Sequence, residues 1–113
     1  MNLQGLSDQV LLQQTCDLAV REREVTLQVL HHLREVERRL LYAKLSYASL
    51  FEYAVKELKY SEGAAHRRIS SMRLLKELPQ LEPRVEAGTL SLCALSQAQS
   101  FFRQEKAQDM WPG

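Results

Sequence analysis

Apolar side chains recur at helical spacing along the first forty residues. Stepping 100° per residue, Leu11, Leu18, Val25, Val29, Leu33, Val36 and Leu40 fall in one stripe roughly 80° wide. Leu12, Ala19, Leu30 and Leu41 widen it on one side, and Glu22 is the one charge inside it. No Gly or Pro occurs between Gly5 and Gly63, so nothing in that span forces a break. With Ser7 or Asp8 as N-cap, the pattern predicts one long helix over about residues 8–45. At 1.5 Å per residue it would reach about 55 Å, against a radius of gyration of about 13 Å for a compact chain of this size. Such a helix needs something along its stripe. A homodimer paired through Leu18, Val25, Val29, Leu33, Val36 and Leu40 is the favoured arrangement. A break near Thr15–Asp17 or Thr26, giving a hairpin, is the other.

Further along, the elements shorten. Ser46-Tyr47-Ala48-Ser49 interrupts the stripe, and Ser49 can cap a helix of about residues 50–58 whose apolar face is Leu50, Phe51, Ala54 and Leu58. Lys59-Tyr60 makes a tight turn. Ser61 caps the next helix, which directs Ala65, Ile69, Met72 and Leu75 inward and ends before Pro79. Residues 81–87 fit one two-turn helix with Pro83 in its first turn and Gly88 as its stop. Ser91 caps a last helix, with Leu90 and Leu95 as a hydrophobic staple and Leu92, Leu95, Ala98 and Phe102 on its buried side. The tail from Asp109 to Gly113 is expected to fray. No segment alternates with period two over a useful length. The expectation is an all-α single domain over 1–113: a long helix at 8–45, a helix-turn-helix at 49–76 and two C-terminal helices within 80–107.

Charge sharpens this picture more than composition does. The 113 residues carry 15 Lys and Arg against 14 Asp and Glu. Most of the surplus lies in one stretch, where Lys56, Lys59, Arg67, Arg68, Arg73 and Lys76 face only Glu57 and Glu62. A balanced chain with a local basic surplus suits a focused anion contact rather than indiscriminate polyanion binding. An apolar share of 45% is too high for disorder. No window approaches the roughly 18 apolar residues of a membrane span, and residues 1–20 lack the charge and apolar run of a signal peptide. Those features point to a cytoplasmic protein without a membrane partner. Cys16 and Cys93 are too few for a disulfide scaffold or a cysteine-only zinc site, and both are expected as buried small apolar residues.

A short helix, a tight turn and a serine-capped second helix make a helix-turn-helix signal. Opposite the inward residues of the second helix lie Gly63, His66, Arg67 and Ser70, with Arg73 on the flank. Arg67 and His66 suit base edges or phosphates, Ser70 is a weaker partner, and Gly63 permits close backbone approach. Ser49, Lys59, Tyr60 and Lys76 stand at helix ends, where phosphate contacts fall. Arg68 turns toward the core edge and is expected to pair with Glu52 or Glu57. Tyr42, Tyr47, Phe51, Tyr53 and Tyr60 are read as a packing cluster.

The pieces HLREVERR (32–39), SLFEYAVKEL (49–58), YSEGAAHRRI (60–69) and AGTLSL (87–92) resemble the N-terminal region of bacterial HNH endonuclease-like proteins, over about residues 20–105. From Tyr60 to Leu92 the chain is also similar to the helix-turn-helix region of ParB-type partition proteins. Ser61, the step Leu75-Lys76-Glu77-Leu78-Pro79, Gly88 and Ser91 carry that likeness. Both resemblances imply DNA binding, and the first implies a nuclease in the related full-length proteins. The nuclease centre itself is missing. His31, His32 and His66 all lie on predicted helices, His31 and His32 point to neighbouring faces, and the two cysteines stand far apart. Gly63 and Gly88 are isolated, so there is no phosphate loop. The expectation is a non-enzymatic module without cofactor, metal or small-molecule substrate, binding double-stranded DNA as a homodimer and nucleoid-associated when bound. The alternative is a helical interaction or dimerisation module that binds no nucleic acid.

Overall fold

The structure is a computed structural model that describes residues 2–109. Among them are six α-helices and no strand: α1 (Asp8–Arg38), α2 (Leu41–Lys44), α3 (Leu50–Lys56), α4 (Glu62–Glu77), α5 (Glu82–Glu86) and α6 (Leu92–Asp109), with a 3-10 turn at Pro79–Leu81 before α5. The chain is all-α. The expected fraying falls mainly on residues 110–113, outside the described residues.

Local chemistry accounts for most boundaries. Ser7, Ser49, Ser61 and Ser91 each accept a hydrogen bond from a first-turn backbone N–H, of Val10, Glu52, Ala64 and Ala94 respectively. At α3 the Glu52 carboxylate also accepts from the Ala48 N–H at 3.0 Å, a capping box displaced by one residue. Pro79 stops α4 and opens the 3-10 turn, so the two-turn helix expected over 81–87 is in fact two shorter pieces. Gly88 is required twice. Its φ is +83°, and an added Cβ would lie 3.0 Å from the Arg23 guanidinium carbon. Arg23 donates from Nε to the Glu86 carbonyl at 3.1 Å, closing the C-terminal end of α5 from α1.

The first helix differs from expectation at its far end. It is unbroken through Thr15 and Thr26, whose hydroxyls donate back to the carbonyls of Leu11 and Glu22 at 2.8 Å without ending it. It stops instead at Arg39, because Leu40 takes the left-handed conformation (φ 54°, ψ 37°) and α2 leaves in a new direction. The continuous helix over 8–45 is therefore corrected to 8–38.

α4 is the hub of the core and contacts α1, α3 and α6. Ala65, Ile69, Met72 and Leu75 are buried as expected, and Leu74 joins them with no exposed surface. α1 contributes Leu27, Leu30 and Leu33, with Val29 and Val36 partly buried beside them. Leu33 thus belongs to the chain's own core and leaves the expected dimer stripe. Leu18, Val25 and Leu40 are exposed. α6 buries Leu95, Ser96 and Gln99 and half-buries Leu92; Ala98 is exposed, contrary to expectation, and the Phe102 side chain lies outside the described residues. Cys16 and Cys93 are both exposed rather than buried. The molecule extends 64 Å in its longest direction, because none of the described residues packs against the first half of α1.

Candidate nucleic-acid interface

α3, the turn after it and the start of α4 form a helical pair held by backbone geometry. Lys59 takes φ 66°, the left-handed position where such turns favour glycine, and lets the Tyr60 N–H donate to the Ala54 carbonyl at 3.1 Å. Arg68 does not reach Glu52 or Glu57. Its guanidinium lies 4.4 Å from the centre of the Tyr60 ring, and Nη1 donates to the Ala64 carbonyl. Glu52 pairs instead with Lys56 at 3.0 Å, and Glu57 accepts the Tyr47 hydroxyl at 2.6 Å. The latter bond and the nearby negative charge raise the Tyr47 pKa. Lys56 and the Ala48 N–H lower that of Glu52.

The aromatic cluster is looser than expected. Tyr47 and Tyr53 meet edge-on with ring centres 6.0 Å apart, Tyr42 is half-buried against the core, and Phe51 is exposed.

The nine residues assigned to DNA contact do not form one patch. Lys59 and Tyr60 sit at the turn, whereas Lys76 stands about 20 Å along α4 from Gly63 at 1.5 Å per residue. Lys59, Gly63, His66 and Lys76 are exposed; Tyr60 is half-buried. Arg67 is half-buried, and its Nη1 occupies the space beside Gly63, 3.3 Å from where a Cβ would stand. Arg73 is fixed by Glu37 of α1, Nη2 to Oε2 at 2.7 Å. Ser70 is 6% exposed and cannot present itself to a major groove; it is withdrawn as a base contact.

Four of the nine do converge elsewhere. Ser49, His66, Ser70 and Arg73 line a cleft of about 320 Å³ together with Phe51 and Arg103. The sequence reading missed Arg103. Its signal was the row Ser96, Gln99, Arg103 at i, i+3 and i+7, one polar face of α6. The residues expected to pair two chains also share a feature. Val25, Val29, Leu33 and Val36 line an apolar groove of about 380 Å³, closed on its other side by Tyr53, Leu58 and Tyr60.

At the end of α1, Arg38 takes Glu35 through three hydrogen bonds of 2.7 to 3.0 Å, and Arg39 adds one of 3.2 Å. The bonds from Arg38 dominate and hold the Glu35 carboxyl at about 2, below its ordinary 4.5. The pair raises the pKa of Arg38 in turn. A depressed carboxylate stabilises the fold above its unfolded pKa, and that contribution fades as pH falls from 4.5 toward 2. Carbon-detected NMR titration is expected to find a Glu35 midpoint near 2 that moves back toward 4.5 in Arg38→Gln. An unshifted wild-type midpoint would show the cluster to be open in solution.

His31 meets Glu82 of α5, and His32 Nδ1 lies 2.6 Å from the Gln28 carbonyl oxygen. Among the described residues no three His, Cys, Asp or Glu side chains stand together where a metal ion could be held. Nor is any of their helices long and apolar enough to cross a membrane. Comparison with protein-family models, curated proteins and solved structures gives no match.

Proposed function

We propose that the chain is a non-enzymatic DNA-binding module that uses the α3–turn–α4 pair. The observation that carries this reading is the serine-capped start of α4, which bears the exposed Gly63 and His66 and the half-buried Arg67 beside the exposed Lys59. Helix-turn-helix proteins contact base edges through the N-terminal residues of the second helix, so burial of the second half of α4 under α6 is compatible with this use. Arg73, Lys76 and Ser49 then serve the phosphates on either side. The resemblance to HNH endonuclease-like N-terminal regions supports the same class. Anisotropy of labelled random duplex at two salt concentrations tests it. Binding at low salt should fall steeply with added salt; absence of binding at low salt rejects the reading.

Pairing of two chains belongs to the same proposal, through a revised surface. Leu11 and Leu18 are exposed on the part of α1 that stands clear of the body, at 36% and 61%, and Val25, 56% exposed, continues their line to the rim of the apolar groove. The spacing of seven between them keeps one seam. Light scattering is expected to give twice the 13.1 kDa chain mass for the wild type and the single mass for Leu18→Asp. A monomeric wild type, or a dimer that survives both Leu18→Asp and Val25→Asp, would remove this surface. The same exposed seam favours the second reading, an interaction module without nucleic acid. Dimerisation together with no duplex binding would select it.

A further inference from the structure

The cleft between the start of α3, the middle of α4 and α6 gathers basic and hydroxyl side chains. In a chain with almost equal numbers of acids and bases, its lining holds two arginines, a histidine and two serines and no carboxylate. Ser70 is the informative member. It is more than nine-tenths buried, it lines the cleft, and its hydroxyl has no hydrogen-bond partner among the described residues. Among the described side chains only the Gln99 Oε1 atom is buried without a partner, so the unpaired Ser70 oxygen is still reachable from the cleft and open to a ligand. Ser71, the next residue, shows the contrast: it donates to the Leu92 carbonyl at 3.2 Å and faces α6.

From these observations we infer that the cleft is a seat for one phosphate group of a phosphate ester. Ser70 donates its hydroxyl, Arg103 brings positive charge from α6, and His66 offers a ring nitrogen from α4. Arg73 adds a second positive charge. Glu37 takes one of its terminal nitrogens, and the remaining guanidinium donors stay free for an oxyanion. The Ser49 oxygen accepts from the Glu52 N–H, which leaves its own proton to donate. About 320 Å³ exceeds what one phosphate fills, and the exposed Phe51 ring forms an apolar wall for the organic part of the ester. This seat stands whether or not the chain reads duplex DNA.

The test is an amide NMR titration of the full chain with inorganic phosphate at constant ionic strength, chloride serving as the control anion. Saturable shifts confined to residues around 49, 66, 70, 73 and 103 are expected. Ser70→Ala should weaken binding about fivefold and Arg103→Gln about tenfold, as losses of a neutral and a charge-assisted hydrogen bond. Arg103 is exposed, so its substitution keeps the fold and isolates the cleft. Shifts that never saturate, that spread over Lys56, Lys59 and Lys76, or that persist in both variants would overturn the proposal. A duplex arm separates the sources. Phosphate that binds the cleft and displaces duplex identifies the strand as the donor of the group; phosphate that binds without displacing it identifies a free ester. Cleft binding with no duplex binding retains the seat and rejects the DNA reading, whereas duplex binding with no saturable phosphate site does the reverse.

Discussion

Leu74→Ala is expected to lower the unfolding free energy by about 3 kcal/mol, within the range of roughly 2 to 5 for a leucine truncated in a packed core. Leu74 has no exposed surface and lies on the one helix that α1, α3 and α6 all contact. The lost side chain leaves a void that three elements would have to shift to close, so relaxation is poor and the cavity cost stays. Domains of this size hold about 5 to 15 kcal/mol in all, so the variant loses a large share of its margin. Urea unfolding followed by circular dichroism checks this through a lower midpoint at constant slope. A loss below about 1 kcal/mol would place the centre of the core elsewhere.

The second large effect concerns affinity. Arg67→Ala combined with Arg73→Ala should weaken duplex binding by about 10- to 100-fold at low salt and make the salt dependence shallower by about two charges. The fold should survive. Arg73 pairs with Glu37 at a partly exposed site, where such bridges contribute about 0 to 1 kcal/mol. Arg67 sits beside Gly63 on the outer side of α4, away from the buried Ala65, Ile69 and Met72. Undiminished binding with an unchanged salt slope would exclude this face as the contact surface and direct attention to the exposed seam of α1.

The helices were legible because their signals are local. A serine before an apolar turn, a proline in a first turn and a glycine after a last one act through neighbours three or four residues away, and Ser49, Ser61, Ser91, Pro83 and Gly88 all behave as their chemistry dictates. The inward face of α4 was legible for the same reason. What its 3.6-residue period could not state is how many neighbours the helix has. A two-helix pair leaves Ser70 in water; a helix also covered by α6 buries Ser70 and Ser71 together. The break at Leu40 was hidden because a leucine on an apolar stripe carries no sign of positive φ. Arg73 with Glu37, and Arg103 beside Ser70, join residues more than thirty positions apart, and only the packed helices bring them together. The candidate site was therefore legible residue by residue, through His66 and Arg73, but not as a cleft.

The division of α1 between a packed half and a bare half gives one helix two stabilities. Around Leu27, Leu30 and Leu33 its backbone amides can exchange with solvent only when the core opens, so they carry the free energy of the whole domain. From Asp8 to about Glu22 every side chain is exposed, and the helix there relies on its own propensity and the Ser7 cap. A segment of that length is marginal in isolation. Amide protection should therefore climb continuously from the N-terminus toward the core, and any partner seated on the bare half would flatten that gradient by supplying the missing side of its packing.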